Sequence, residues 1–390
     1  MTTAQVQIGI GKSGRRAYGF DDIAIVPTRR TRDPEDIDIS WQIDAYRFDL
    51  PCLGSAMDGA MSPASAIAMG KLGGLGVLNL EGLWTKYEDP QPLFDEIAQL
   101  DNASATKRMQ EIYAAPVQPE LIGVRVKEMK DAGITTAASL TPQNVEKWHH
   151  HALEAGLDIL VIQGTVVSAE HVSKTSDPLD LVDFISRYDI PVIVGGTASY
   201  SAALHLMRTG AAGILVGVGP GNACTTRGVL GIGVPQATAI ADAAGARSRH
   251  LEETGRYVHV IADGGMRTGG DVSKAIACGA DAVMLGSPLS RAAEAPGQGK
   301  HWGMATFHPD LPRGARVEVG TIGTMEQILT GPATENDGTR NLFGALRTSM
   351  ATCGYETIKE FQRAEVMVAP ALQSEGKTYQ KAQGIGMGNR

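Results

Sequence analysis

Two near-repeats set the unit from which this chain is built. Val192-Ile-Val-Gly-Gly is echoed 22 residues later by Ile214-Leu-Val-Gly-Val, and Val260-Ile-Ala-Asp-Gly-Gly is echoed 23 residues later by Val283-Met-Leu-Gly-Ser. That period is too short for a domain and right for one strand–helix unit. The same rhythm runs through the chain from Leu50 onward. A short apolar run ends in small residues, and a helical pattern follows. The runs predict strands at Leu50–Ser55, Leu75–Leu80, Ile134–Ser139, Leu157–Gln163, Ile190–Gly195, Ala212–Val218, Val258–Ala262 and Ala280–Leu285. They are rich in Leu and β-branched residues and show little alternation, which means burial on both faces, as in a parallel sheet.

Helical patterns fill the gaps. Thr141 before Pro142 reads as an N-cap with proline in the first turn, and Leu179–Tyr188, Ser199–Arg208, Gln236–Ala246 and Asp271–Cys278 follow the same scheme. Glycines at 133, 156, 210 and 279 stand where helices should stop. Eight strands with seven intervening helical regions predict a single-domain α/β chain, a (β/α)8 TIM barrel. A doubly wound sheet is the alternative, but it seldom carries eight such units. The barrel should span residues 50–360, after an irregular lead-in at 1–49 and before an extended tail at 361–390. The long Pro- and Gly-rich stretch at 288–340 falls after strand eight, on the face where such loops are functional. The last helix should be Asn341–Thr352.

Composition removes several function classes. The formal charge is −8, so nothing favours binding to a nucleic-acid backbone, which needs a basic face. No apolar run reaches the length of a membrane span, and no apolar segment near the N-terminus precedes a cleavage site, so neither a membrane nor a signal peptide is expected. The four cysteines, Cys52, Cys224, Cys278 and Cys353, are far apart and form no metal or disulfide pattern. A reducing cytoplasm fits and leaves a thiol free for chemistry.

Gly217-Val-Gly-Pro-Gly-Asn-Ala-Cys-Thr-Thr-Arg-Gly follows the sixth predicted strand. It puts Cys224 at the C-terminal mouth of the barrel, among glycines that permit tight bends and beside the donors Thr225, Thr226 and Arg227. A lone cysteine after a strand is more often a small buried hydrophobe; this polar, Gly-rich loop reverses that preference. Ile261-Ala-Asp-Gly-Gly-Met-Arg and Asp281-Ala-Val-Met-Leu-Gly-Ser-Pro end strands seven and eight, where this fold often binds phosphate on backbone amides. Gly265, Gly286 and Ser287 are the natural phosphate contacts there, and Asp263 can accept from ribose hydroxyls. Ser55 and Met57, after strand one, should face the same mouth, although Met57 alone reads as core. His149-His150-His151 cannot all ligate one ion from a helix and reads as a solvated face; Arg29–Arg32 reads as a solvated charge run. Gly195-Gly196-Thr197 either faces a cofactor or turns the chain.

Gly-Pro-Gly-Asn-Ala-Cys-Thr-Thr-Arg at 219–227 resembles the catalytic loop of IMP dehydrogenases. Ser-Ala-Met-Asp at 55–58, Val-Ile-Ala-Asp-Gly-Gly-Met-Arg at 260–267, Val-Met-Leu-Gly-Ser at 283–287 and Gly-Met at 303–304 resemble the nucleotide-binding segments of the IMP dehydrogenase / GMP reductase family. Phe20-Asp-Asp-Ile-Ala-Ile-Val-Pro resembles the family's N-terminal entry motif, and the likeness runs from about residue 18 to 360. The family's inserted pair of regulatory domains would fall near 82–120, a gap too short to hold them, so the chain resembles the short IMP dehydrogenase-related group.

The resemblance implies a nucleophilic Cys224 that attacks C2 of inosine monophosphate, hydride transfer to NAD, and hydrolysis of the thioimidate to xanthosine monophosphate, a step of guanine nucleotide synthesis. Thr226 matches the threonine that assists proton transfer. Ser55, Met57, Asn222, Asp263, Gly265, Gly286, Ser287, Gly303 and Met304 would hold the nucleotide, with His301 where the family has a phosphate-binding tyrosine. Gln163, Gly217 and Gly219 would face the cofactor, and the carbonyls of Gly219, Gly221 and Cys224 match a potassium site. A homotetramer is implied as well.

Five departures bear on the activity. No Arg-Tyr pair lies between Met304 and Arg316, which leaves Arg313 and Arg316 as candidates for the water-activating flap residue. Arg313 stands where a glutamate used by GMP reductases precedes the glycine, Gln163 replaces a cofactor-binding aspartate, and Gly196 replaces an asparagine. Gly331–Thr339 looks like an insertion belonging to a rebuilt flap. The alternatives are a GMP reductase and a catalytically silent purine-nucleotide-binding protein.

Overall fold

The computed structural model describes residues 5–174, 178–371 and 374–389. Eight parallel strands form a closed barrel: β1 (Cys52–Gly54), β2 (Leu75–Asn79), β3 (Ala137–Leu140), β4 (Ile159–Gln163), β5 (Val192–Thr197), β6 (Gly213–Val216), β7 (His259–Asp263) and β8 (Ala282–Leu285). Each lies inside or against one of the predicted apolar runs. Val283, Met284 and Leu285 of β8 pair with Cys52, Leu53 and Gly54 of β1, which closes the ladder. The weak alternation is explained by two apolar environments. Ile159, Val161, Ile193, Leu215, Ile261, Ala282 and Met284 fill the barrel interior. Their neighbours Leu160, Ile162, Val194, Val216, Val260, Val283 and Leu285 pack outward against the helical layer.

The helices begin and end largely as their caps dictate. Ser199 accepts from Ala202 N–H at the head of Tyr200–Met207, and Thr268 accepts from Asp271 N–H at the head of Gly269–Ala277. Gly133, Gly156, Gly210 and Gly279 all adopt positive φ, as helix-terminating glycines do. One start is displaced. The helix after β3 runs Val145–Glu154, so Thr141 is not its N-cap. Glu81 explains this: its carboxylate accepts from Thr141 N–H (2.5 Å) and Asn144 Nδ2 (2.6 Å), holding 141–144 as a turn. The helix after β6, Gln236–Thr254, is longer than its apolar pattern, and the last long helix begins one residue after its cap Asn341.

The lead-in is not irregular. Trp41–Ile43 and Tyr46–Phe48 form a hairpin whose Trp41, Ile43 and Phe48 plug the N-terminal end of the barrel. Trp41 stacks on Phe48 (5.3 Å) and donates from Nε1 to His259 Nδ1 (3.1 Å). Burial pushes the His259 imidazole down to about 4, so it stays a neutral acceptor. The tail is not simply extended either: Val366–Val368 pairs antiparallel with Ile23–Ile25, and Thr378–Gln383 is helical. Arg29 and Arg30 are exposed, but Arg32 is half-buried and donates to the Gly354 carbonyl (3.1 Å). His149 corrects the solvated reading of the triple histidine. It is buried, with its ring nitrogens on the Val145 carbonyl (2.7 Å) and the Tyr188 hydroxyl (2.5 Å).

Asp281, at the foot of β8, is almost fully buried. It binds Arg247 (2.7 Å), Lys359, Val260 N–H (2.8 Å), Tyr257 (2.7 Å) and Gln362 (2.9 Å). Despite burial, Arg247 and Lys359 hold its carboxyl well below the usual carboxylate range. Its stabilisation is therefore present above the unfolded carboxylate pKa and lost as pH falls through the depressed folded value. Removing Asp281 leaves the buried Arg247 guanidinium without its carboxylate, so Asp281→Ala should lower unfolding free energy by about 3–5 kcal/mol, read from urea titrations near neutral pH. A loss within error would show that the cluster contributes nothing net.

Candidate functional site at the barrel mouth

The C-terminal ends of the strands open into one cavity of about 730 Å3. Its lining contains Ser55, Met57, Gln163, Gly217, Gly219, Gly221, Asn222, Cys224, Asp263, Gly265, Gly286, Ser287, His301, Gly303 and Met304. Every predicted site residue except Thr226 faces this space. Thr226 lies fully buried behind the cysteine, with its Oγ1 3.2 Å from Cys224 Sγ.

The cysteine loop is held from three sides. Cys224 N–H donates to the Gly221 carbonyl (3.1 Å), forming a tight turn. Arg227 donates to the Val218 (3.2 Å) and Val234 (2.7 Å) carbonyls and braces the loop from behind. The segment 313–315 pairs with it as a short antiparallel bridge: Thr225 N–H donates to the Arg313 carbonyl (3.0 Å) and Ala315 N–H to the Ala223 carbonyl (2.8 Å). Gly217 permits the close crossing of the sixth and seventh strand ends, since a Cβ there would lie 2.2 Å from the Asp263 carbonyl oxygen. Gln236 pins the same crossing. Its Nε2 donates to the Val216 (2.8 Å) and Asp263 (2.9 Å) carbonyls. Sequence reasoning missed Gln236, and its only local signal is its place at the first turn of the helix behind the loop.

On the cavity floor, Gln163 Nε2 donates to Asp263 Oδ2 (3.2 Å). Burial pushes the Asp263 carboxyl up to about 7, and this one hydrogen bond only partly opposes the shift. Asp263 is therefore an acceptor whose charge is set near neutrality. At the far wall, Asn222 Nδ2 donates to Ser287 Oγ (3.2 Å), and Ser287 Oγ meets His301 Nε2 (2.9 Å). Burial pushes His301 down to about 4, which leaves a neutral imidazole. Gly265 (φ +81°) and Gly286 expose backbone at this end. Glu81, Thr141, Asn144, Gly164 and Thr165 line the opposite end. The cavity thus brings small residues and backbone amides, the Cys224 thiol and the polar groups of Glu81, Thr141, Asn144 and Gln163 to one space.

The two flap candidates separate. Arg313 lines the cavity. Arg316 points away and donates to the Ile97 (2.6 Å) and Leu100 (2.7 Å) carbonyls. Gly196 and Thr197 lie outside the cavity lining, and Gly196 N–H donates to the Gly164 carbonyl (2.9 Å), which fixes the end of β5 against the loop after β4. The stretch at 331–339 does not cover the main cavity. Asp337 and Thr339 wall a neighbouring one. Among the described residues, no group of three His, Cys, Asp or Glu side chains could hold a metal ion, and no helix is long and apolar enough to cross a membrane.

Comparison with known proteins gives the same picture. The model of the IMP dehydrogenase / GMP reductase domain matches residues 17–304. An uncharacterized oxidoreductase of Mycolicibacterium smegmatis is 49% identical over 372 residues, covering 93% of this chain and 99% of that protein. The inosine-5'-monophosphate dehydrogenase of Methanocaldococcus jannaschii is 27% identical over 487 residues, covering 93% and 94%. The crystal structure of an IMP dehydrogenase/GMP reductase-like protein from Corynebacterium glutamicum superposes with a TM-score of 0.89 at 48% identity, covering 94% of this chain and 98% of that one. The chain belongs to the IMP dehydrogenase / GMP reductase family of oxidoreductases.

Proposed function

We propose that the protein is an IMP dehydrogenase that oxidises inosine monophosphate to xanthosine monophosphate through a covalent adduct on Cys224. The observation that carries this reading is the placement of the Cys224 thiol, with Thr226 behind it, in one cavity with Asp263, Gly265, Gly286 and Ser287. The ribose hydroxyls donate to Asp263, and the phosphate takes the backbone amides of Gly265, Gly286 and Ser287. Ser55, Met57, Asn222, Gly303 and Met304 complete the nucleotide pocket, and neutral His301 donates through Ser287 rather than adding charge.

The Cys224 thiolate adds to C2, and Thr226 takes or relays the thiol proton. NAD, if held in the space lined by Gln163, Gly217 and Gly219, would accept the electron pair of the C2–H bond as hydride, leaving the C=N bond of a thioimidate on Cys224. Water then adds at C2, the C–S bond breaks, and the thiol is restored. Gln163, Gly217 and Gly219 line the space for the nicotinamide end, and Glu81, Thr141 and Asn144 the extension beyond it. The neutral backbone carbonyls of Gly219, Gly221 and Cys224 are the donor chemistry of an alkali-cation site, which would order the cysteine loop. Arg313 is the cation that can orient the hydrolytic water, because its backbone is bonded to the cysteine loop and its side chain faces the cavity. Arginine in place of a carboxylate there gives no acid for releasing ammonia, so the geometry favours the dehydrogenase over the reductase.

Incubation of the protein with inosine monophosphate, NAD and potassium should produce reduced nicotinamide, seen by absorbance, and xanthosine monophosphate, seen by chromatography. Cys224→Ser should cut turnover by about a thousandfold or more while keeping nucleotide affinity. Retained turnover refutes the mechanism, and nucleotide binding without turnover by the wild-type protein selects a silent binder. Arg313→Met should slow steady-state turnover by about a hundredfold yet spare the first-turnover burst of reduced nicotinamide; an equal loss of both would place Arg313 elsewhere in the mechanism.

The Asp263 carboxyl titrates at about 7 and accepts best when ionised. Affinity for the uncharged nucleoside inosine should therefore rise between about pH 6 and 8, by calorimetry, and Asp263→Asn should flatten the profile. A pH-independent wild-type affinity would remove Asp263 from ribose recognition.

A further inference from the structure

One cavity next to the site takes no part in this chemistry. It lies beyond the Asn222–Ser287 hydrogen bond and has a volume of about 280 Å3. Its wall includes Asn222, Arg267, Ser287, Arg291, Asp337 and Thr339. Asn222, Arg267 and Ser287 also line the large cavity, so the two spaces meet at the end assigned to the phosphate.

Arg291 has no structural employment. Its Nε is buried without a partner, and its guanidinium makes no ion pair or hydrogen bond with any described residue. A guanidinium stays charged at every physiological pH, and burying one of its donors unsatisfied is costly unless something else meets it. Arg267 pairs with Asp21 only at 3.8 Å and keeps 46% of its side chain exposed. Among the described residues Asp337 is the one carboxylate in this wall, and its Oδ1 is occupied by the N–H (3.0 Å) and hydroxyl (2.7 Å) of Thr339. Two guanidiniums against one carboxylate leave the wall positive, in the planar fork geometry that suits phosphate oxygens.

We propose that this cavity is a second phosphate subsite, so that the mouth accepts a purine nucleoside 5'-diphosphate with its β-phosphate between Arg267 and Arg291. The proposal rests on the mononucleotide reading above. Such a ligand fills the place of the substrate with additional charge contacts, and it competes with the monophosphate.

Calorimetry on the full chain with inosine 5'-monophosphate and inosine 5'-diphosphate tests it. The wild-type protein should bind the diphosphate about tenfold or more tighter. Arg291→Met should reduce that preference to about twofold or less while monophosphate affinity holds. A thermal melt checks that the variant is folded; if it is not, Arg267→Gln supplies the same ratio. Equal affinities in the wild-type protein, or an unchanged ratio in the folded variant, overturn the subsite and leave the mononucleotide reading standing. Failure of both nucleotides to bind the wild-type protein overturns both.

Discussion

Closure of the parallel ladder between β8 and β1 is the constraint from which the site follows. Once Val283–Leu285 is paired with Cys52–Gly54, all eight strands run the same way around one axis, and every strand ends at the same mouth. Residues separated by more than two hundred positions, such as Ser55 and Ser287, then line one cavity. Closure also removes the sheet edges that an open β-sheet would have to protect. The foot of the closing strand carries the buried Asp281 cluster, and the opposite end of the same strand leads into Gly286 and Ser287. One short strand thus joins the most strongly paired charges in the barrel to the amides assigned to the phosphate.

The barrel was legible because its information is local. Each strand is a short apolar run buried on both faces, and each turn is marked by glycine or a cap; these patterns need no partner to be recognised. The candidate site was legible for the same reason, since a residue just past a strand end is at the mouth once the barrel is granted. What local patterns do not encode is pairing between distant segments. Ile23–Ile25 and Val366–Val368 make one small sheet although more than three hundred residues separate them. The bridge between 223–225 and 313–315 is of the same kind, as is the Glu81 carboxylate that displaces a helix start sixty residues away. The Trp41–Phe48 hairpin is different. Its alternating apolar and polar residues are in the sequence, but each strand is only three residues long, too short for a period of two to stand out.

Electrostatics at the mouth are set more by burial than by ion pairs. Asp263 and His301 both sit against the cavity, and burial moves both toward their neutral forms, the acid upward to about 7 and the imidazole down to about 4. Neither has a counter-ion in the site. On the reading proposed above, a phosphate there would meet the amides of Gly265, Gly286 and Ser287, a serine hydroxyl and a neutral ring, which would hold it by hydrogen bonds. Arg291 lines the neighbouring cavity alone, and Arg267 lines both spaces where they meet at Asn222 and Ser287. On that proposal, the two guanidiniums would attract an anion while backbone and hydroxyl dipoles positioned it.

The region 82–120 shows how a short member of the family can support its cavity without inserted domains. Three helices fill it, Leu83–Lys86, Gln91–Gln99 and Asn102–Tyr113, and they build a small apolar cluster of Leu83, Phe94, Ile97, Met109, Ile112, Tyr113 and Trp302. Its centre is polar. Buried Asp58, next to Met57 on the cavity wall, accepts from Tyr113 OH (2.6 Å) and Leu83 N–H (2.8 Å), and Tyr113 OH accepts from Trp302 Nε1 (2.7 Å). Tyr113 also stacks on Phe307, which lines the cavity from the far side (3.9 Å). One carboxylate thereby couples the loop after β1 to the segment that carries Gly303, Met304 and Phe307. Burial raises the pKa of Asp58, and the hydrogen bonds from Tyr113 and Leu83 oppose the shift more than the charge of Lys86 does, so the connection depends first on hydrogen-bond geometry. Movement of the 302–307 segment would have to break Trp302–Tyr113 or drag Tyr113 off Asp58, so the roof and the nucleotide wall move together or not at all.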